Sequence, residues 1–278
     1  MLRMIAQLKT RTSVGLWLYS LKPVSGALLL LSVTLHSIAD DRIQVISGYE
    51  YSQGDYGQTL TTYEHLIPLS ISWQRDDWQI KVSNGLIRSE GPVNTVAATD
   101  GVVLDEAVSD SDDGALVNHR GIMDTYLAFR KELPWGEAYS LFMDLNLTTR
   151  LPTASGDNVI ERDPDYEIML DLFWQQDRWL PMLSVGYKWL GESDEISLND
   201  VVLLSLGLQY TLTDQCQLGG LLDYQQASSS TSDSVQELMF YGNCRMDKQW
   251  SLSPYLLSGF SDSSVDYAIG VQLIWRSQ

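Results

Sequence analysis

Apolar and polar residues alternate along most of this chain, and the pattern is clearest near its end. From Val265 to Trp275 every second residue is apolar, and the residues between them include Asp266, Gly270 and Gln272. Side chains of a β-strand point alternately to opposite faces. The pattern therefore predicts a strand with one apolar face and one polar face.

The same alternation recurs in about twelve segments of some ten residues, the length that a tilted strand needs to cross a bilayer. Short connections alternate with longer ones that are rich in Ser, Gly or acidic residues. Short turns at one end and long loops at the other are typical of outer-membrane barrels. We predict an all-β, antiparallel up-and-down transmembrane barrel of twelve strands. Ten or fourteen strands remain open, because Pro68 interrupts the second segment.

Aromatic residues on the apolar face are sorted by type. Tryptophans lie beside the short turns, and tyrosines lie near the other ends of the segments. Aromatic girdles at the two membrane interfaces have this character. The predicted tryptophan girdle consists of Trp73, Trp78, Trp174, Trp179, Trp250 and Trp275.

The first 39 residues differ from the rest of the chain. They contain four basic residues and no acidic one, followed by an apolar run from Val24 to Leu35 and small residues at 37 and 39. This is the signature of a secretory signal peptide, and the run is too short for a transmembrane helix. We predict a removed signal peptide at 1–39 and a single barrel domain at 40–278. The location is then the outer membrane of a Gram-negative bacterium.

The charge of the chain is strongly acidic, with 18 Lys and Arg against 36 Asp and Glu. Removal of the four basic leader residues leaves 14 against 36, a net charge of −22. Such a protein repels the phosphates of nucleic acids, so a nucleic-acid partner is excluded. No cofactor is indicated.

The polar faces of the strands carry charges of both signs. Either these side chains line a passage and set its selectivity, or they form ion pairs that fill a narrow barrel. The main inward-facing candidates are Asp124, Arg130, Asp144, Arg150, Glu167, Asp171, Lys188, Asp223, Glu237, Arg245 and Asp266. Further charged residues assigned to this face are Glu50, Glu64, Lys81, Arg88 and Arg276.

Two cysteines flank a hairpin that turns at 228–232. A turn centred on residue 230 places Cys216 opposite Cys244, and Phe240 over Gly220. An exported protein is in an oxidising compartment, which favours a cross-strand disulfide. Two separate thiols are the alternative, because direct cross-strand geometry is often strained. The last hairpin is expected to pair Trp250 with Trp275.

The loop predicted at 91–119 is extracellular and acidic. It would be a solvated surface loop, a constriction that attracts cations, or a weak calcium site. A lipid-acting enzyme is a further alternative, because His65 has the parity of the lipid-facing side. No Ser with an orienting acid accompanies it, so we predict no enzyme.

Five short motifs occur in the order found in a known family. They are SGYEYSQGDYG (47–57), RLPTASGD (150–157), GYKWLGESDE (186–195), LDYQQASSS (222–230) and GFSDSSVDYAIGV (259–271). They resemble the exported outer-membrane "transporter family", also called meta-pathway phenol-degradation-like proteins. The resemblance runs from about residue 43 to 275. It implies a barrel that passes small solutes, including aromatic or other organic compounds.

Three features depart from that family. An acidic segment replaces its glycine-rich one, RGIMD keeps only Asp124 of a Gly-x-Gly-Asp motif, and the chain ends three residues beyond Trp275. The resemblance implies outer-membrane lipid, periplasmic chaperones and the barrel assembly machinery as partners, besides a small-molecule solute. A non-conducting structural or surface-interaction barrel remains the alternative function.

Overall fold

The computed structural model describes residues 41–92, 116–134, 140–156, 162–192, 198–230 and 232–277. The predicted signal peptide, and with it residue 40, lies outside the described residues. The centre of the predicted acidic loop, 93–115, also lies outside them. Within the described ranges, no helix has the length and apolar character to span a membrane.

The described chain is built of β-strands that follow the alternating segments of the sequence. The strands are β1 (Arg42–Gly54), β2 (Thr62–Arg75), β3 (Trp78–Pro92), β4 (Leu116–Ile122), β5 (Thr125–Leu133), β6 (Leu141–Leu151), β7 (Ser155–Gly156), β8 (Asp165–Trp174), β9 (Trp179–Trp189), β10 (Val201–Thr211), β11 (Cys216–Gln225), β12 (Val235–Arg245), β13 (Trp250–Gly259) and β14 (Tyr267–Arg276).

These strands form one closed antiparallel barrel. Neighbours in the wall are mostly neighbours in sequence, and β1 closes the circle by pairing with β14 from Gln44↔Arg276 to Gln53↔Tyr267. Strands β4 and β5 occupy successive parts of one position beside β3, and β7 is a two-residue strand of a loop. The wall therefore has twelve strands, which confirms the predicted fold, and Pro68 lies within β2 without ending it.

A bulge at Met123 and Asp124 separates β4 from β5. The register against β3 shifts by one residue between Leu86↔Ile122 and Ser83↔Tyr126. An extra residue in one strand is the definition of a β-bulge, which bends the strand and re-aims nearby side chains. The sequence pattern predicted one continuous strand here, whereas in the structure this bulge interrupts it.

The strands also reach into the predicted loop at 91–119. Pairing of β3 with β4 continues through Glu90↔Asn118 to Pro92↔Leu116. The loop bounds from the sequence were therefore too wide at both sides. The ladder extends because its backbone groups gain partners along this edge.

The two faces of the wall differ as the alternation predicts. Large apolar side chains such as Leu206, Phe240 and Ile269 are exposed on the outer face, whereas the inner positions between them are mostly buried. We call the end with the short turns and both barrel termini the turn end, and the opposite end the loop end. Trp73 and Trp78 pack edge to face at the turn end, with ring centroids 4.8 Å apart.

The hairpin of β11 and β12 has the predicted register. Cys216 pairs with Cys244, Leu222 with Leu238, and Gly220 with Phe240. The sulfur atoms of the two cysteines are bonded. The last hairpin pairs Trp250 with Trp275, also as predicted.

Replacing both Cys216 and Cys244 by Ser should lower the stability of the barrel by about 3 kcal/mol. The bond spans a sequence separation of 28 residues and restricts the unfolded chain. The measurement is the temperature at which the folded band is lost on semi-native gels, with reduced wild-type protein as the matched control. Intact mass spectrometry that finds no added hydrogen after reduction would contradict the bond.

Candidate functional site

The candidate site is the interior of the barrel, whose inner wall has two unlike halves. On β2, β3 and β5 the inward side chains are buried except at the turn end. Partly exposed inward positions occur instead on β1, β6, β8, β10, β11, β12 and β13. Space for a solute therefore lies along this second half of the wall.

A buried ion-pair network closes the loop end of β6, β8 and β9. The Arg150 guanidinium donates to Asp165 Oδ2 at 2.7 Å and to Asp124 Oδ2 at 2.7 Å. Lys188 Nζ lies 3.6 Å from Asp165 Oδ2. Arg150 is 2% exposed and Asp165 is 1% exposed, so both charges depend on each other for solvation.

The same network fixes two loops to the wall. Asp124 Oδ1 accepts hydrogen bonds from the backbone N–H groups of Thr153 and Ala154, and Asp165 Oδ1 accepts one from Gly191. A Cβ atom at Gly191 would lie 1.9 Å from the Asp163 carbonyl oxygen, so only glycine fits there. The network that contains Asp124, Arg150 and Lys188 therefore anchors these two loops to the barrel wall.

Asp165 is the centre of this network and was not among the predicted residues. It lies two positions before Glu167, on the same face of β8. Continuing the alternation by one step would have found it. Its place at the start of the strand, next to Pro164, hid the pattern.

A second network lies nearer the turn end. Arg130 Nη2 donates to Asp144 Oδ2 at 2.5 Å, and both side chains are buried. Asn146 Nδ2 donates to Asp171 Oδ2 at 2.6 Å. Asp144 and Asp171 are directly opposite each other, so Arg130 and Asn146 share the solvation of two adjacent carboxylates.

Charges that face the interior space are mainly acidic. Asp223 and Glu237 are directly opposite each other, and the Ser205 hydroxyl donates to Asp223. The inward carboxylates that remain partly exposed are Glu50, Asp124, Glu132, Glu167, Asp171, Asp223 and Glu237. The inward cations Lys81, Arg130, Arg150 and Lys188 are buried.

The remaining predicted side chains lie at the two rims. Arg245 and Arg276 are at the turn end with Arg42, where the Arg245 guanidinium donates to the Asp214 carbonyl oxygen. Asp266 is exposed immediately before β14, at the loop end. Burial nevertheless raises the pKa of Asp266, and the nearby carboxylate of Asp55 adds to this.

Arg88 does not face the interior, so its assignment to the inner face was wrong. It is exposed on the outer face, opposite His65. The inward residues of β3 are odd-numbered over the whole strand, from Gln79 to Gly91, and no bulge intervenes to change this.

The inner wall also contains an apolar row that the sequence pattern did not predict. Direct cross-strand pairs connect Phe142, Phe173, Met182, Gly207, Leu221, Met239, Leu257 and Ala268. Most of these side chains belong to one hydrophobic cluster. The signal was present where both faces of a segment are apolar, as in WLPML and ELMFY.

Two inward tyrosines cover glycines in the neighbouring strands. A Cβ atom would lie 2.3 Å from Tyr241 Cζ if added at Gly219, and 2.2 Å from Tyr255 Cζ if added at Gly270. The Tyr241 hydroxyl donates to Gln209 Oε1 at 3.2 Å, and the Tyr255 hydroxyl donates to Glu50 Oε2. Both rings are therefore held flat against the wall.

His65 lies on the outer face, as its parity predicted. Its Nδ1 is 2.6 Å from the Tyr49 hydroxyl, and its ring is tilted against Tyr51 with centroids 5.4 Å apart. Among the residues that the structure describes, no three His, Cys, Asp or Glu side chains are grouped to hold a metal ion. The acidic residues of the predicted calcium loop lie outside the described ranges.

These features define an outer-membrane-type β-barrel with a charged, partly open interior. The fold is shared with an outer membrane channel from Pseudomonas putida F1, at a TM-score of 0.63 and 14% identity over 87% of this chain and 97% of that one. The NanC porin has a TM-score of 0.51 and 11% identity, over 84% of this chain and 98% of its own. No family model and no curated protein match the sequence.

The resemblance seen in the sequence and the likeness of the structures agree at the level of the fold. A barrel was expected from the five motifs, and the chain has the fold of an outer membrane channel over nearly all of the described strands.

Replacing Arg150 by Met should destabilise the folded barrel by about 3–5 kcal/mol, because Asp165 would remain buried without its main partner. The Arg75→Met variant is the control. Its side chain is 47% exposed and 3.9 Å from Asp41, so its loss should cost less than about 1 kcal/mol. Thermal unfolding in detergent measures both, and equal effects of the two changes would contradict the network.

Proposed function

We propose that this protein is a passive channel of the Gram-negative outer membrane that passes small solutes and favours cations. The observation that carries the proposal is the division of charge on the inner wall. Partly exposed carboxylates face the space, whereas the basic side chains beside them are buried in the wall. Fixed negative charges along a pore raise the local concentration of cations.

The likeness to an outer membrane channel and a porin supports this proposal, since both share the barrel fold. Location in the outer membrane, removal of the leader at 1–39, and partnership with lipid, chaperones and the assembly machinery belong to the same proposal. The proposed function involves neither enzymatic turnover nor a cofactor. Organic solutes, aromatic ones included, follow from the resemblance of the five motifs.

A non-conducting barrel is the second candidate function. The inward residues of β2, β3 and β5 are buried, and buried ion pairs continue from β5 onto β6 and β8. If the packed half extended across the lumen, the barrel would be structural. The partly exposed half favours the channel instead.

The test is the reversal potential of the barrel in a planar bilayer under a salt gradient. The wild-type protein should conduct in steady steps and prefer cations. Combining Asp223→Asn with Glu237→Gln should reduce the cation-to-anion permeability ratio by roughly half, because the negative charge of this carboxyl pair leaves the passage.

Asp76→Asn is the matched control for the loss of charge. Asp76 is in a short turn, its side chain is 71% exposed, and asparagine accepts its positive φ of 50°. This variant should keep the wild-type permeability ratio. A folded, heat-modifiable barrel without current would refute the channel and favour the structural role.

A further inference from the structure

Several carboxylates converge on one aromatic side chain at the loop end of the lumen. Tyr56 lies in the turn after β1, and its ring fills the space above Gly54, where a Cβ atom would be 3.1 Å from Tyr56 Cζ. Since Gly54 faces inward, the Tyr56 ring is inside the barrel. A turn bond from Gln58 N–H to the Asp55 carbonyl oxygen, 2.8 Å long, holds the loop in this position.

The surroundings of the Tyr56 hydroxyl are negative. Burial raises the pKa of Tyr56 well above its usual value, and the carboxylates of Glu64, Glu237, Asp266 and Glu50 raise it further. Ser52 and Glu64 are directly paired across β1 and β2, and Glu50 is diagonal to Glu64. We call Glu50, Glu64 and Glu237 the acidic cluster.

Oxygen atoms without hydrogen-bond partners lie in this region. Within the described part of the chain, Tyr56 OH, Thr62 Oγ1 and Glu64 Oε1 are buried and have no hydrogen-bond partner. Tyr56 is 3% exposed and Glu64 is 7% exposed. Buried oxygens in a native structure are normally paired, so a ligand that brings hydrogen-bond donors fits this place.

A comparison of the ion pairs made by the inward carboxylates indicates that this ligand is positively charged. Among the described residues, no Lys or Arg forms an ion pair with Glu50 or Glu64, whereas Asp144 and Asp165 each have an arginine within 2.7 Å. Carboxylates held this close repel each other, and a cation between them relieves the repulsion. The acidic cluster is spread over three strands, β1, β2 and β12, and no metal-ligand group is found there in the described ranges.

The wall beside the cluster is apolar. Met239 follows Glu237 by two residues on the inner face of β12, and it pairs with Leu257 in the apolar row. Gly259 lies opposite Glu237 and has no side chain that could separate Glu237 from the apolar row. Met239 is 5% exposed and Leu257 is partly exposed, so the apolar part of a ligand that donates to the carboxylates would contact this row at Leu257, beside Met239.

We propose that the acidic cluster and the Tyr56 hydroxyl bind the ammonium group of an organic cation whose apolar part lies against Met239 and Leu257. The inference rests on the proposed function, since the cation enters through the same lumen. The proposed site specifies small alkyl or aryl amines as the solute class. The charge of the passage alone specifies only that the solute is a cation.

The test measures binding in detergent by saturation-transfer NMR, with the barrel purified after expression of the full chain. The probes are n-butylammonium, methylammonium, 1-butanol and butyrate. Butylammonium should bind about tenfold more tightly than butanol, because the charge-assisted hydrogen bonds are lost in the alcohol. Methylammonium should bind more weakly than butylammonium, because it cannot contact the apolar row.

Glu64→Gln should weaken butylammonium binding about tenfold and leave butanol unchanged, and Tyr56→Phe should weaken it about threefold. The control is Glu90→Gln. Glu90 lies at the same level of the barrel on β3, one residue from Ser89, which pairs with Glu64, but it points outward. Melting temperatures of all variants verify that they are folded.

Equal affinity for butylammonium and butanol would overturn the proposal. Equal effects of Glu64→Gln and Glu90→Gln in folded protein would overturn it as well. The channel is tested separately by current. Amine binding by a barrel that carries no current would refute the channel and keep the site. Current without amine binding would refute the site and keep the channel.

Discussion

The pairing of β1 with β14 is the constraint on which the rest of the molecule depends. In hydrocarbon each unpaired backbone N–H or C=O group costs several kcal/mol, so a sheet that crosses a membrane must have no open edge. Ten register pairs join the two strands, and Ser277 N–H donates to the Ile43 carbonyl oxygen just beyond them. Both barrel termini consequently lie at the turn end, and the twelve strands form a wall with a distinct inside and outside.

Once the wall is closed, the charged side chains inside it differ in how far they are buried. Arg130 and Arg150 each neutralise carboxylates of adjacent strands, so these side chains fold against the wall and not into the lumen. Because the Arg130 and Arg150 side chains are buried, their positive charges do not face the lumen. The carboxylates of Asp223 and Glu237 are opposite each other and partly exposed to the lumen, so the field inside the barrel is negative even though basic residues are present.

The outer face could be predicted from the sequence because lipid imposes one simple rule on every strand. Most outward positions of the strands are apolar, and the period of two then gives the strand number and the parity of His65. The register of β11 and β12 could be predicted as well, because a symmetrical hairpin leaves only one partner for Cys216, and that partner is Cys244.

The inner face could be predicted only in part. Its parity is fixed, but its contacts depend on curvature, bulges and loops that join distant segments. Tyr56 enters the lumen through a turn with positive φ, and Asp165 meets Arg150 through the pairing of β6 with β8. In the sequence the apolar row is marked only by segments with two apolar faces, such as WLPML, and a single segment does not show that such residues pair across the wall.

Under the proposed function, the apolar row and the acidic residues beside it would hold the two parts of an amphipathic cation. On β8, β11 and β12 the inward residue two positions nearer the loop end is acidic: Asp171 beside Phe173, Asp223 beside Leu221, and Glu237 beside Met239. Direct pairs carry the apolar row obliquely around the wall, from the turn end of β6 to the loop end of β14. In the adjacent row, Ser184 and Ser205 lie between Asp171 and Asp223.

Under the proposed function, a solute that moves along these rows would exchange one carboxylate for the next while its apolar part stays in contact. Each step then costs less than full release into water, because neither the charge nor the apolar surface must be solvated at once. Conduction requires several weak sites in place of one strong site. Under the proposed function, Arg42, Arg245 and Arg276 at the turn end would disfavour a cation that remains there.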